Sequence, residues 1–112
     1  MRDVKLNFQD MLSAFESIEA FVCGMTYAEF LDDDKTSSAV IRKFEIVGEA
    51  AKGVSEEFRK RYSDVPWRDM AGMRDRLIHL YFGVDYELVW STIKEHLPDL
   101  KKVLNQIIED LP

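Results

Sequence analysis

Three stretches of this chain repeat their apolar residues at the spacing of an α-helix, and no stretch alternates as a strand does. Val4, Phe8, Met11, Leu12, Phe15, Ile18 and Val22 recur at i, i+3 and i+4, which predicts a half-buried helix from Val4 to about Cys23. Val40, Phe44, Val47, Ala51 and Val54 line a second long helix, in which Gly48, Ala50 and Ala51 are small enough to let a neighbouring helix approach closely. Leu88, Val89, Ile93, Leu97, Leu100, Leu104 and Ile107 carry a third stripe almost to the end of the chain. With no strand pattern, internal repeat or low-complexity tract, the chain reads as all-α.

Local punctuation divides the stripes. Gly24 weakens the end of the first helix, and Thr26-Tyr27-Ala28-Glu29 has the form of a capping box, predicting a short helix through Leu31. Residues 32–37, Asp-Asp-Asp-Lys-Thr-Ser, are of the kinds that bond to nearby backbone in competition with helix, so they read as a connection ending in a cap. They lack the ligand order, central glycine and distal glutamate of an EF-hand loop. Gly53 is a helix stop, and Ser55-Glu56-Glu57-Phe58 opens a shorter turn through about Tyr62. Pro66 suits the first position of a further helix, expected to run to Tyr81 or Phe82, because its missing N–H would have been unpaired there. Gly83 then interrupts and Asp85 caps the last segment. Inside that segment Pro98 would cost ~3 kcal/mol, so the segment is expected to kink or split there. The sum is an up-and-down bundle of about four to five helices in a single domain, residues 1–112.

Composition bounds the function. Hydrophobic residues at 46% are enough for a core and too many for a disordered chain. A net charge of -6 argues against broad affinity for nucleic acid, which rests on neutralising phosphates. Positive charge is nonetheless concentrated in mid-chain at Arg59-Lys60-Arg61, Arg68, Arg74 and Arg76, where the Arg59 run reads first as a solvated helix end. Cys23 is the only cysteine, so no intrachain disulfide forms and a reducing cytoplasm is the expected location. No apolar run approaches the ~20 residues needed to span a bilayer, and no membrane association is expected.

Chemistry concentrates in residues 73–81, Met-Arg-Asp-Arg-Leu-Ile-His-Leu-Tyr. Placed on the expected helix at about 100° per residue, Trp67, Met70, Leu77, Ile78 and Tyr81 share one side and Arg74 emerges from the middle of that stripe. Asp75 and His79, four residues apart, would be neighbours on its flank. A guanidinium on an apolar face is costly to desolvate unless it meets an anion or another polar group. Glu45 or Glu49 could supply one internally, and a phosphate could supply one from outside. The two glutamates are themselves spaced to lie side by side, as an acid/base pair, a metal site or, by default, a solvated stripe. His96 has no partner that spacing reveals. Glycine-rich phosphate loops, Cys-x-x-Cys and His-Glu-x-x-His are all missing, and two histidines with one cysteine do not suggest zinc. An Arg, a short polar residue and a His do suffice for cleaving RNA without a metal, because RNA carries its own nucleophile in the ribose 2′-OH. By spacing alone, though, Arg74 and Asp75 read first as ordinary charges on a half-exposed helix, with His79 as an edge residue.

Arg74, four residues, His79, one residue and Tyr81 resemble the Arg-x4-His-x-Tyr motif of HepT-like proteins in the HEPN (higher eukaryotes and prokaryotes nucleotide-binding) superfamily. Pro66-Trp67, Gly83-Val84-Asp85-Tyr86 and the upstream Ile46-Val47-Gly48-Glu49-Ala50-Ala51-Lys52 resemble segments of that family in the same order. The resemblance implies a HEPN-like all-α homodimer acting as a ribonuclease toxin, without a cofactor. Arg74 would stabilise the transition state, His79 would act as acid and base, and Asp75 would orient them. It also implies a minimal nucleotidyltransferase as antitoxin, with Tyr81 as the residue modified by adenylate. A core role for the Tyr81 ring, with its hydroxyl at the edge, is the structural alternative. From a different functional class, the same face could be a non-catalytic module that holds a nucleotide or a nucleotidyltransferase.

Overall fold

The three apolar stripes fold as helices, and they pack on one another. The computed structural model describes residues 3–79 and 83–112, with the backbone but not the side chains of Arg74, Ile78 and His79. Helix α1 (Val4–Val22) starts at Asp3, whose carboxylate accepts from the Lys5 N–H at 2.9 Å, and buries Phe8, Met11, Phe15, Ile18 and Val22. These meet Val40, Phe44, Val47 and Ala51 of α3 (Asp34–Lys52), so the two long helices form the centre of the core. Between them, α2 (Tyr27–Asp32) opens on the expected capping box: the Thr26 hydroxyl accepts from the Glu29 N–H at 3.1 Å and the Glu29 carboxylate from the Thr26 N–H at 2.9 Å.

The C-terminal stripe divides at the proline. Asp85 caps α7 (Tyr86–Glu95), accepting from the Leu88 N–H at 3.1 Å, and α8 (Leu97–Asp110) restarts with Pro98 in its first turn. Helix α8 lies along α1, adds Leu104 and Ile107 to the core, and is tied to it by an ion pair between Lys101 and Glu19. Phe30 of α2 stacks within 5.2 Å of Trp90 and 6.1 Å of Tyr86, joining α2 to α7 through rings.

The linker after α3 is organised by one arginine. Arg59 of α4 (Glu56–Arg61) donates from Nε to the Val54 carbonyl at 3.0 Å and from Nη2 to the Ala51 carbonyl at 2.9 Å, which also accepts from the Val54 N–H at 3.2 Å, so it ties α4 to the end of α3. Its guanidinium stands 5.9 Å from the Trp67 ring centre, and Trp67 in turn donates to the Tyr62 carbonyl at 3.0 Å and meets Phe8 edge-on at 5.6 Å. The Arg59 side chain is thus committed within the fold.

Several expectations are corrected. The chain is mostly helical as expected, but the described residues form eight helices, four of them of ten residues or more, instead of four to five. Most of the surplus lies in the linkers, where short turns close individually. The acidic run is not a connection: only Asp33 remains outside helix, because its carboxylate accepts from the Thr36 N–H at 3.0 Å and the Thr36 hydroxyl at 2.7 Å and so starts α3 at once. The single helix expected over residues 66–82 is also broken. It consists of α5 (Trp67–Ala71) and α6 (Met73–Leu77), separated by Gly72. A short antiparallel pair follows, β1 (Ile78–His79) with β2 (Gly83–Val84). Met70 and Ala71 end α5 against α3: a Cβ on Gly48 would lie 3.6 and 3.5 Å from their carbonyl oxygens.

Candidate active site

The break after Leu77 changes the geometry of the motif. Arg74 and Asp75 have helical backbone in α6, whereas His79 stands in β1, so the one-face placement of Asp75 and His79 at i and i+4 does not apply. Chain direction is instead fixed by Leu77, which is buried at the end of α6 and whose carbonyl accepts from the Asp85 N–H at 2.9 Å. Beyond it, Ile78 pairs with Val84 and His79 with Gly83. The motif therefore lies across a helix-to-strand junction held by backbone bonds on one side and by the buried Met70, Met73 and Leu77 on the other. Asp75 is exposed. The side chains of Arg74 and His79, and the whole of Tyr81, lie outside the described residues.

Glu45 and Glu49 share α3, the helix on which α5 and α6 both pack. Glu45 is half-buried. Glu49 is exposed and lines a shallow groove with Asn7, Asp10 and Arg42 on the side facing α1. Both carboxylates thus stand on the helix against which α5 and α6 pack, with Glu45 the more enclosed of the two.

The basic residues read from the sequence are used differently from one another. Arg59 is used by the carbonyls of α3, and Arg76 pairs with Asp69 at 3.4 Å, while Lys60, Arg61 and Arg68 are exposed. His96, for which spacing showed no partner, stands at the mouth of a cavity of about 340 Å³ between α5–α6 and α7–α8, floored by Met70, Met73, Leu77 and Leu100. No short-range signal could have shown this, because the cavity joins residues some thirty positions apart across two helix pairs. Among the described residues no three His, Cys, Asp or Glu side chains are grouped as a metal site requires. Nor is any helix among them long and apolar enough to cross a membrane.

Comparison with known proteins bears on the same stretch. Residues 11–107 match the family model described as "Ribonuclease HepT-like", a span that includes α6, β1 and β2. The chain is 44% identical over 110 residues to "Putative RNase MJ0125" of Methanocaldococcus jannaschii, covering 98% of this chain and 95% of that one. It is 47% identical over 100 residues to "Probable ribonuclease HepT" of Thermococcus cleftensis, covering 89% and 91% respectively. No solved structure matches the chain significantly.

Proposed function

Because this chain belongs to the HepT-like ribonuclease family, it is an endoribonuclease toxin of a toxin–antitoxin system, and we propose that Arg74, Asp75 and His79 are its catalytic residues. The observation that supports the assignment is the sequence of residues 74–79, which supplies an arginine, a carboxylate and an imidazole within six positions inside the family match.

The reaction is transesterification within the RNA. His79 takes the proton of a ribose 2′-OH, the oxygen attacks the adjacent phosphorus, and the bond to the 5′-oxygen of the next nucleotide breaks as that oxygen gains a proton. Arg74 faces the charge that gathers on the two non-bridging oxygens, a role suited to a guanidinium because it offers paired donors in a fixed plane. The products are a 2′,3′-cyclic phosphate and a 5′-hydroxyl, and no metal takes part. Asp75 orients the pair. Of the two glutamates, Glu45 is assigned the support of Arg74, with Glu49 secondary, a choice supported by the greater enclosure of Glu45 on α3, the helix against which α6 packs.

Proton removal and proton delivery call for two groups, and a symmetric homodimer would supply both from two copies of the same motif. The protein acts in the cytoplasm, where its RNA substrate lies. Its antitoxin is a minimal nucleotidyltransferase that attaches adenylate to Tyr81.

The test is cleavage of a mixed-sequence RNA in excess EDTA by wild type and His79→Ala, with the mass of each protein measured by light scattering. The expected result is cleavage that persists in EDTA, leaves cyclic phosphate ends and disappears in His79→Ala, from a particle of twice the 13.1 kDa chain. Cleavage by His79→Ala at the wild-type rate would remove that residue from the mechanism, and a monomer would remove the shared site.

A further inference from the structure

We propose that Gly83 is a positioning residue for RNA cleavage, its left-handed backbone holding the strand pair that sets the main chain of His79. The inference rests on His79 being the acid–base residue. Gly83 has φ of 81° and pairs directly with His79 across β1 and β2. The Asp85 N–H bonds the Leu77 carbonyl at 2.9 Å, and in an antiparallel ladder bonded and non-bonded pairs alternate. Leu77 with Asp85 is therefore one bonded pair, Ile78 with Val84 falls between, and His79 with Gly83 is the next bonded pair. The ladder comprises two residues on each side, so the position of His79 depends on very few bonds, of which those to Gly83 are the outermost described.

Space is not what glycine supplies here. A Cβ built on Gly83 meets no atom within 4 Å, so a larger side chain would not clash with any described neighbour. What a side chain disturbs is the positive φ, because Cβ then crowds the adjacent carbonyl oxygen. The chain relieves this by turning φ negative, which rotates the peptide groups on either side and withdraws them from His79. Asparagine tolerates the left-handed region, alanine less so, and a β-branched valine least.

The chain contains its own control. Gly24, after the end of α1, has φ of 77° and likewise nothing within 4 Å of a built Cβ, but it lies outside the strand pair. A side chain there imposes the same backbone strain on a part of the fold with no bond to the motif.

The experiment measures kcat, KM and thermal unfolding of the full chain on an end-labelled mixed-sequence RNA for Gly83→Asn, Gly83→Ala, Gly83→Val, Gly24→Val and His79→Ala. Titration of the His79 imidazole by NMR accompanies each. Displacing a reacting group by about 1 Å costs on the order of 100-fold, so kcat should fall in the order Asn, Ala, Val, reaching ~100-fold at valine, with KM within about twofold of wild type. The His79 titration should move with kcat. Gly24→Val should lose similar thermal stability yet keep the wild-type kcat and titration. Wild-type kcat in Gly83→Val, or equal kcat losses at Gly83 and Gly24, overturns the proposal. Should Gly83→Val fail to fold, asparagine and alanine decide, and equal kcat in those two overturns it. A dead His79→Ala beside an unaffected Gly83 series defeats this inference alone, whereas an active His79→Ala defeats the catalytic assignment and this inference with it.

Discussion

Arg59 shows how residue type and residue role separate. In the sequence it heads a basic run within an acidic chain and could be counted toward an RNA-binding patch. In the fold its guanidinium serves Val54 and Ala51 and lies near the Trp67 ring, so its charge is spent on the end of α3. Neither the solvated-helix-end reading nor the patch contains the two carbonyls, because a contact from residue 59 back to residue 51 depends on the turn at Gly53. Two charge-assisted bonds to a helix end imply that Arg59→Ala destabilises the fold by about 2 kcal/mol. Lysine cannot span both carbonyls as the planar fork does, so Arg59→Lys should recover less than half of the loss. Chemical denaturation measures the loss, and a salt titration of RNA binding completes the test. A weaker salt dependence in Arg59→Ala would show that the residue contacts phosphate after all.

Elements were legible where a side chain closes a local bond. Thr26 with Glu29, Ser55, Asp85 and Pro98 each start a helix where short-range chemistry said they would. Asp33 did the same more strongly than expected, converting residues 34–37 from connection to helix. Illegible were the break at Gly72 and the strand pair. A helical glycine costs only about 1 kcal/mol relative to alanine, so Gly72 does not announce a stop, and two-residue strands are too short to show alternation. The break matters most for the site, since it moves His79 off the helix that spacing had shared between it and Asp75. The Asp33 cap carries a pH dependence. Its bonds from the Thr36 N–H and hydroxyl hold the carboxyl below the usual aspartate range. A lowered value in the folded chain means the unfolded chain binds the proton more readily. The cap's contribution is therefore complete above the ordinary value of about 3.9 and is lost as pH falls through the lower, folded value. Thermal unfolding of wild type and Asp33→Ala should differ at pH 6 and converge in strong acid. A difference that persists unchanged into strong acid would assign the cap's effect to something other than the ionised carboxylate.

At the scale of the whole molecule, a long-helix core carries the motif at its edge: α1 and α3 form the centre, α5 and α6 are laid against α3, and the strand pair adjoins α6. A toxin built this way needs a control that leaves the core alone and acts on the edge. Tyr81 follows His79 by two positions in the sequence, and under the proposed function it is the residue that receives adenylate. In the proposed control, the phenol oxygen attacks the α-phosphorus of ATP, a phosphodiester forms, and pyrophosphate leaves. The product carries a bulky nucleotide and a negative phosphate beside the place where the RNA phosphate must meet Arg74. Like charges and occlusion both oppose binding there, so the modified toxin should be inactive without being unfolded. Co-expression with the cognate nucleotidyltransferase should raise the mass by whole adenylate units on Tyr81 and abolish growth inhibition. Tyr81→Phe removes the acceptor oxygen while keeping the ring, and it should stay toxic in the presence of the same partner. If Tyr81→Phe is neutralised as fully as wild type, covalent modification is not the control. The nucleotidyltransferase must then silence the toxin by occupying the motif directly, which predicts a stable complex on gel filtration with no change in mass of either chain.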